Sequence, residues 1–177
     1  MRKLILYIAT SIEGYIARPD GDVKWLEDQD FMIEGEDFGY QKFLETIDTT
    51  LMGNSTYKEI LGFGVPFPYP DKDNYVFTKS KQKDNEFVRF INSDIPAFVR
   101  NLKTQEGKDI WLIGGGKINM VMMEHGLIDQ IILTVMPVCL GDGIPLFSPG
   151  SKSVKWKLSS SRPYDSGVVQ LIYHQNS

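Results

Sequence analysis

Three consecutive glycines, Gly114, Gly115 and Gly116, follow the apolar run Ile110, Trp111, Leu112 and Ile113 and lead into a segment with helical spacing. No other feature constrains this chain as much. A strand must end in a turn bare of side chains and pass directly into a helix, which leaves the first N–H groups of that helix open to close approach. Free N–H groups at the positive end of a helix dipole favour an anion, so the junction points to a nucleotide or a sugar phosphate. A plain strand-to-helix turn also accounts for a glycine triplet. The dinucleotide fingerprint of doubly wound folds does not fit, because Asn119 stands where its third glycine belongs and no acidic residue ends a strand about 20 residues later. A P-loop does not fit either, since Lys117 is followed by Ile118 and not by Ser or Thr.

The same alternation of strand and helix extends along the chain. Residues 4–9 read as a buried strand, and residues 11–29 as a long irregular stretch punctuated by Gly14, Pro19 and Gly21, a length that marks function or mobility in a compact domain. Residues 37–47 carry helical apolar spacing, with Asp37 suited to the first turn. Strands are expected at 49–52, 75–78, 87–91, 110–113, 131–138, 156–161 and 168–174. One or two helical turns are expected at 56–60, and a loop at 62–70. Helices are expected at 95–103, begun by Asp94 and Pro96, and at 117–125, closed by Gly126. This pattern implies a mostly parallel, helix-covered sheet with an antiparallel edge made by the C-terminal strands.

Composition narrows the chemistry. A chain of 177 residues fits one domain, and a formal charge of −4 with no basic run argues against a nucleic-acid partner. Cys139 is the one cysteine, so an intramolecular disulfide and a cysteine metal cage are excluded, and its apolar neighbours predict a small buried hydrophobe. His125 and His174 are the two histidines, too few for a histidine-rich zinc site, and no metal is expected. His125 reads as a last-turn partner of a helix dipole. No apolar segment approaches the roughly 18 residues of a membrane span. The opening Met1, Arg2 and Lys3 has the charge order of a signal peptide, but its apolar stretch is short and breaks at Thr10 and Ser11, so a first strand and a cytoplasmic location are the expectation.

Two further junctions resemble the glycine triplet in position. Gly53, Ser55 and Thr56 follow the second strand, and Thr78, Lys79 and Ser80 follow the third. Both offer hydroxyls and backbone N–H groups where strands end, the expected ligand crevice of an open sheet. There is no nucleophile elbow, since the segment from Gly53 to Tyr57 lacks the second glycine of G-x-S-x-G.

The ordered segments Ser11-Ile12-Glu13-Gly14-Tyr15-Ile16-Ala17, Leu51-Met52-Gly53-Asn54-Ser55-Thr56-Tyr57, Val76-Phe77-Thr78-Lys79-Ser80 and Ile113-Gly114-Gly115-Gly116-Lys117-Ile118 resemble the dihydrofolate reductase-like superfamily over nearly the whole chain. The stretch from Leu127 to Phe147, with Pro137-Val138-Cys139-Leu140-Gly141-Asp142-Gly143 in it, resembles the reductase domain of bifunctional riboflavin-biosynthesis enzymes. The resemblance implies an α/β, three-layer fold with helices on both faces of the sheet. It also implies a cis peptide within the glycine triplet, a homodimer, and NADPH as the cofactor for hydride transfer to a small-molecule imine or carbonyl. By motif, Ala9 and Ile16 would flank the nicotinamide, while Gly53, Ser55 and Thr56 would hold the phosphate-ribose part. Thr78, Lys79 and Ser80 would lie near the adenosine end, and Gly114, Gly115, Gly116, Lys117 and Ile118 would cradle the pyrophosphate.

Departures from the family pattern keep alternatives open. The family's usual arginine after Met-Gly, which holds the 2′-phosphate, is here Asn54; its loss weakens the preference for NADPH by about 1.5–3 kcal/mol and makes NADH possible. Lys79 and Lys117 could compensate as point charges. Asp37 stands where dihydrofolate reductases carry a carboxylate beneath the pterin, and either takes a catalytic part or complements a helix dipole. Lys72 sits where an arginine would bind the folate glutamate. Trp25 and Leu26 resemble lid residues, or else pack the loop onto the core, and Glu13 replaces an aspartate common beside Gly14 in the riboflavin branch. A zinc deaminase signature is missing, so the chain reads as a stand-alone reductase of the riboflavin type. The alternatives are a dihydrofolate or pterin reductase and a non-catalytic nucleotide-binding dimer module.

Overall fold

Period-two alternation sorts the strand side chains onto two faces, each covered by its own pair of helices. In this computed structural model, which describes residues 1–150 and 152–175, the order is β1 (Leu4–Thr10), β2 (Tyr15–Ala17), α1 (Tyr40–Thr46), β3 (Ile47–Gly53), α2 (Asn54–Gly62), β4 (Asp73–Phe77), β5 (Val88–Ile91) and α3 (Ile95–Thr104). Then follow β6 (Asp109–Gly114), α4 (Gly116–Glu124), β7 (Gln130–Val135), β8 (Ile144–Pro145), β9 (Trp156–Pro163) and β10 (Val169–Gln175). Leu4 and Leu6 of β1 pack with Val99 and Leu102 of α3 and Met122 of α4. Ile5 of the same strand packs on the opposite face with Phe43 of α1 and Trp111 of β6. Met52 and Val76 lie on that second face beneath Tyr57 and Ile60 of α2.

The eight-stranded sheet has the order β5-β4-β3-β6-β1-β7-β10-β9. Its strands from β5 through β7 run parallel, and β10 and β9 close the far side as antiparallel neighbours. This is the mostly parallel, helix-covered sheet with an antiparallel C-terminal edge that the sequence predicts. The helix start at Asp94 also forms as expected: its carboxylate accepts from the Ala97 N–H at 3.0 Å, with proline in the first turn.

Several details differ from the sequence expectations. The stretch at 11–29 is not wholly irregular. It contains β2, which pairs antiparallel with β8, and a 3-10 turn at Lys24–Glu27, and a second 3-10 turn, Gln29–Phe31, begins at its last residue. The helix expected at 56–60 begins at Asn54 and runs to Gly62. β7 stops at Val135 because the Val138 N–H folds back to the Met136 carbonyl at 2.8 Å. Cys139, expected to be buried, is exposed: it lies in the loop beyond that turn, four residues past the end of β7.

Polar groups close the N-terminal edge of the sheet. The buried Arg2 guanidinium bonds the Asp48 carboxylate, the Thr49 hydroxyl at 2.6 Å and the Lys108 carbonyl at 2.5 Å, drawing the starts of β1, β3 and β6 together. Lys103, at the end of α3, donates to Asp129 at 2.6 Å and to the Leu127 carbonyl at 3.0 Å, while Asp129 also accepts from the Leu4 N–H at 2.7 Å. Asn74 does the same for two loops, donating to the carbonyls of Tyr69, Lys72 and Phe87 and accepting from Thr50.

At the other edge the segment around β8 is wedged between two elements. A Cβ on Gly143 would stand 2.4 Å from the Ala17 carbonyl of β2, and one on Gly116 would stand 2.3 Å from the Pro145 carbonyl. The Leu146 N–H bonds the Gly14 carbonyl at 2.8 Å and the Ser148 N–H bonds the Gly116 carbonyl at 3.0 Å.

Removing one member of a buried ion pair strands the other charge. Lys103 is 6% exposed and the Asp129 side chain 34% exposed, so Asp129→Ala is expected to cost about 3 kcal/mol, the lower end of the range for breaking such pairs. Urea unfolding checks this, and a Lys103→Met/Asp129→Leu double variant should recover part of the loss.

Candidate functional site

The topology itself locates a crevice. The chain leaves β1 toward α1 on one face and leaves the neighbouring β6 toward α4 on the other. Where adjacent parallel strands send their connections to opposite faces, a cleft opens beyond their carboxyl ends. Exposure follows this rule. Leu4 and Leu6 in β1 and Leu112 in β6 are fully buried, yet Tyr7, Ile8 and Ala9, and Ile113 next to Gly114, are only partly covered although their strands are central.

On the β3 and β6 side of this crevice two helices begin without caps. α2 follows Gly53 and α4 follows Gly115, and neither has a side chain accepting from its first N–H groups, whereas α3 has Asp94. The two starts are in close contact. A Cβ on Gly115 would lie 3.2 Å from the Thr56 hydroxyl, and one on Gly53 would lie 3.2 Å from Cγ1 of Ile118. Gly114 has φ +115°, a conformation that L side chains rarely adopt, and its peptide bond to Gly115 is cis. Unfilled N–H groups from two helices therefore converge on a floor lined by Gly53, Gly114, Gly115 and Gly116, with Ser55 and Lys117 exposed at its mouth. Two helix dipoles directed at one place favour negative charge there.

The third junction joins the second. The Gln82 side chain donates to Asn54 Oδ1 at 3.2 Å and to the Thr78 hydroxyl at 3.0 Å, while Thr78 Oγ1 also accepts from the Ser80 N–H at 3.3 Å. Lys79 and Ser80 beside them are exposed. Sequence reasoning missed Gln82, a single polar residue among lysines that carries no local signal.

The opposite side is walled by residues 18–39. Trp25 and Phe31 are buried against Met136 and Val168 in a cluster that includes Ala9, Leu26, Phe38 and Tyr164. Ile16, half-buried in β2, lies on the stem of this segment. Glu13 fastens the stem: its carboxylate accepts from the backbone N–H groups of Leu140 and Gly141. Asp37 is exposed, and its two oxygens accept from the Gln41 N–H at 2.8 Å and the Gly39 N–H at 2.9 Å. The Gln41 bond leads the causes that hold its carboxyl below the usual carboxylate range. The structure thus gives Asp37 the work of capping α1. Trp25 is placed as loop packing, with an indole N–H that is buried and has no partner.

Beneath this wall, the Tyr7 hydroxyl donates to the Phe38 carbonyl at 3.1 Å, and its ring stacks on Phe43 at 4.5 Å between centroids. Tyr40, Tyr69 and Trp111 complete an aromatic floor. Among the described residues, no group of three or more His, Cys, Asp or Glu side chains is arranged to hold a metal, and no helix is long and apolar enough to cross a membrane.

The profile of the RibD C-terminal domain family matches residues 70–170. The chain is 42% identical over 174 residues to the uncharacterized protein YwjB of Bacillus subtilis, covering 97% of each. A solved structure from Shewanella sp. PV-4, described as a riboflavin biosynthesis protein, superposes with a TM-score of 0.88 at 26% identity over 99% of both chains. Dihydrofolate reductase of Enterococcus faecalis, solved with NADP(H), shares the fold at a TM-score of 0.70 and 20% identity, over 99% of this chain and 97% of its own. The dihydrofolate reductase-like fold expected from the sequence is the one observed.

Burial pushes the Tyr7 hydroxyl up to about 12, and burial also raises Tyr69. A tyrosine whose folded value lies above its unfolded value of about 10 adds stability that is complete below pH 10 and lost as pH rises through the folded value. Unfolding free energy is therefore expected to fall between about pH 10 and pH 12. Tyr7→Phe should make that fall shallower in urea titrations followed by tryptophan fluorescence.

Proposed function

This chain belongs to the RibD C-terminal domain family, and from that we propose that it is an NADPH-dependent reductase resembling 5-amino-6-(5-phosphoribosylamino)uracil reductase. Its substrate is a small heterocycle or sugar phosphate reduced at an imine or carbonyl carbon. One observation carries the reading: two uncapped helix starts meet at a glycine floor beside the crevice between β1 and β6. In this reading the pyrophosphate lies against residues 114–118, with Gly53, Ser55 and Thr56 holding the adjoining phosphate-ribose part. Thr78, Lys79 and Ser80 serve the adenosine end, and Ala9 and Ile16 flank the nicotinamide.

The cofactor, when bound, supplies the hydride. The residues of the chain align the two reactants and keep water from the reacting carbon, the main contribution open to a protein in hydride transfer. The proton that completes the reduction comes from water, because Asp37 is exposed and held ionised as a helix cap. Asn54 offers no guanidinium fork for a 2′-phosphate, so discrimination between NADPH and NADH rests on the exposed Lys79 and Lys117 and is modest. The folate alternative is the weaker one: the Lys72 ammonium is engaged by Asp71 at 2.9 Å and is a point charge where a glutamate carboxylate needs a fork. The homodimer implied by the resemblance belongs to the same proposal, and light scattering on the eluted protein reads it directly.

Calorimetric titration with NADPH and with NADH at one fixed salt concentration tests the reading. Micromolar binding of either supports it, and binding of neither overturns it. Gly115→Ala puts a methyl group 3.2 Å from the Thr56 hydroxyl, inside the cradle. It is expected to weaken nucleotide binding about tenfold or more, roughly the loss of one or two charge-assisted hydrogen bonds, with little change in melting temperature.

A further inference from the structure

A turn of bare glycines does not hold its own shape, because glycine gives up more conformational freedom on ordering than any other residue. Gly114, at φ +115°, therefore needs support from outside the turn. Asn119, one turn into α4, lies against it. A Cβ on Gly114 would stand 3.3 Å from Asn119 Oδ1 and 3.4 Å from Nδ2, with Cδ1 of Ile8 at 3.5 Å. The Asn119 side chain is fully buried, so it supports the turn and does not itself reach a ligand in the crevice.

The two ends of its amide are treated unequally. Nδ2 donates to the Leu146 carbonyl at 2.8 Å, while Oδ1 is buried and finds no donor among the described residues. An unmatched buried acceptor costs stability, and leucine, branched at the same carbon, fills such a site with no polar atom to satisfy. Packing alone therefore favours leucine at 119. What the amide adds is the bond to Leu146, which belongs to the segment pressed against the start of α4. A Cβ on Gly116 would collide with the Pro145 carbonyl, and the Ser148 N–H bonds the Gly116 carbonyl at 3.0 Å. Both of those contacts meet the helix at a single residue and leave rotation about it open. The Asn119 bond, three residues further along, removes that freedom, and the same amide lies against Gly114.

Resting on the reductase reading above, we infer that Asn119 is a positioning residue for the nucleotide. It touches no ligand; its amide holds Gly114 and the first turn of α4 where the uncapped starts of α2 and α4 face the same space. The glycines make the floor bare, and Asn119 keeps it in one place.

The test compares the parent chain with Asn119→Leu and Asn119→Ala, reading thermal unfolding and calorimetric titration with NADP+ on each. Both variants lose the bond to Leu146, but only alanine leaves a hole. Asn119→Leu is expected to melt within a few degrees of the parent, and Asn119→Ala clearly lower. Both are nevertheless expected to bind NADP+ more weakly by a similar factor, roughly fivefold or more, the scale of one neutral hydrogen bond. A side chain that served stability alone would move the two readouts together. Parent-like affinity in Asn119→Leu overturns the inference, and so does a large loss of melting temperature in that variant, or affinity that falls in step with melting temperature across the two. If Asn119→Ala does not fold, the leucine variant decides alone. Failure of the parent to bind NADP+ is a different result: it overturns the reductase reading, and this inference with it.

Discussion

The first N–H groups of a helix need partners, and at α2 and α4 the chain withholds them. Where it wants a helix start to be self-sufficient it supplies a carboxylate, as Asp94 does for α3. Gly53 and Gly115 occupy the equivalent positions of the other two, and β3 and β6 are hydrogen-bonded neighbours, so both deficits face the same space. The rest of the molecule makes this tolerable. Parallel strands put all their carboxyl ends at one edge, and the buried Arg2 and Lys103 networks tie the opposite edge together. Both networks lie at the end of the sheet away from the two bare helix starts.

How much of this could be read from the sequence depends on how local each signal is. Apolar runs bounded by glycine located the central strands, and Asp94, Pro96 and Gly126 located helix ends, because caps and turns are decided within a few residues. The three junctions at Gly53, Thr78 and Gly114 were legible for the same reason. β2 and β8 were not: each is two or three residues long, and their pairing spans more than a hundred positions. The exposure of Cys139 was hidden because an apolar neighbourhood in sequence does not reveal where a strand stops. Gln82 links Asn54 to Thr78 only after β3 and β4 lie side by side. Asp37 could be read two ways, and the contacts its carboxylate makes are the local ones, with the N–H groups of Gly39 and Gln41.

The chain keeps its family's fold. Asn54 bonds Gln82, Lys72 is tied to Asp71, and eight carboxylates lie between residues 18 and 37. None of these positions lies in the buried clusters that hold the sheet, so they could change without disturbing it. A scaffold held by one set of residues and bearing exposed polar groups on another is the arrangement that lets a single fold serve different substrates.

The wedged segment around β8 links the two ends of the crevice mechanically. Its backbone touches β2 at Ala17, bonds Gly14 through Leu146 and Gly116 through Ser148, and Asn119 of α4 donates to the Leu146 carbonyl. The bare backbone at Gly143 and Gly116 is therefore what lets one short segment of chain touch β2 on one side and the first turn of α4 on the other.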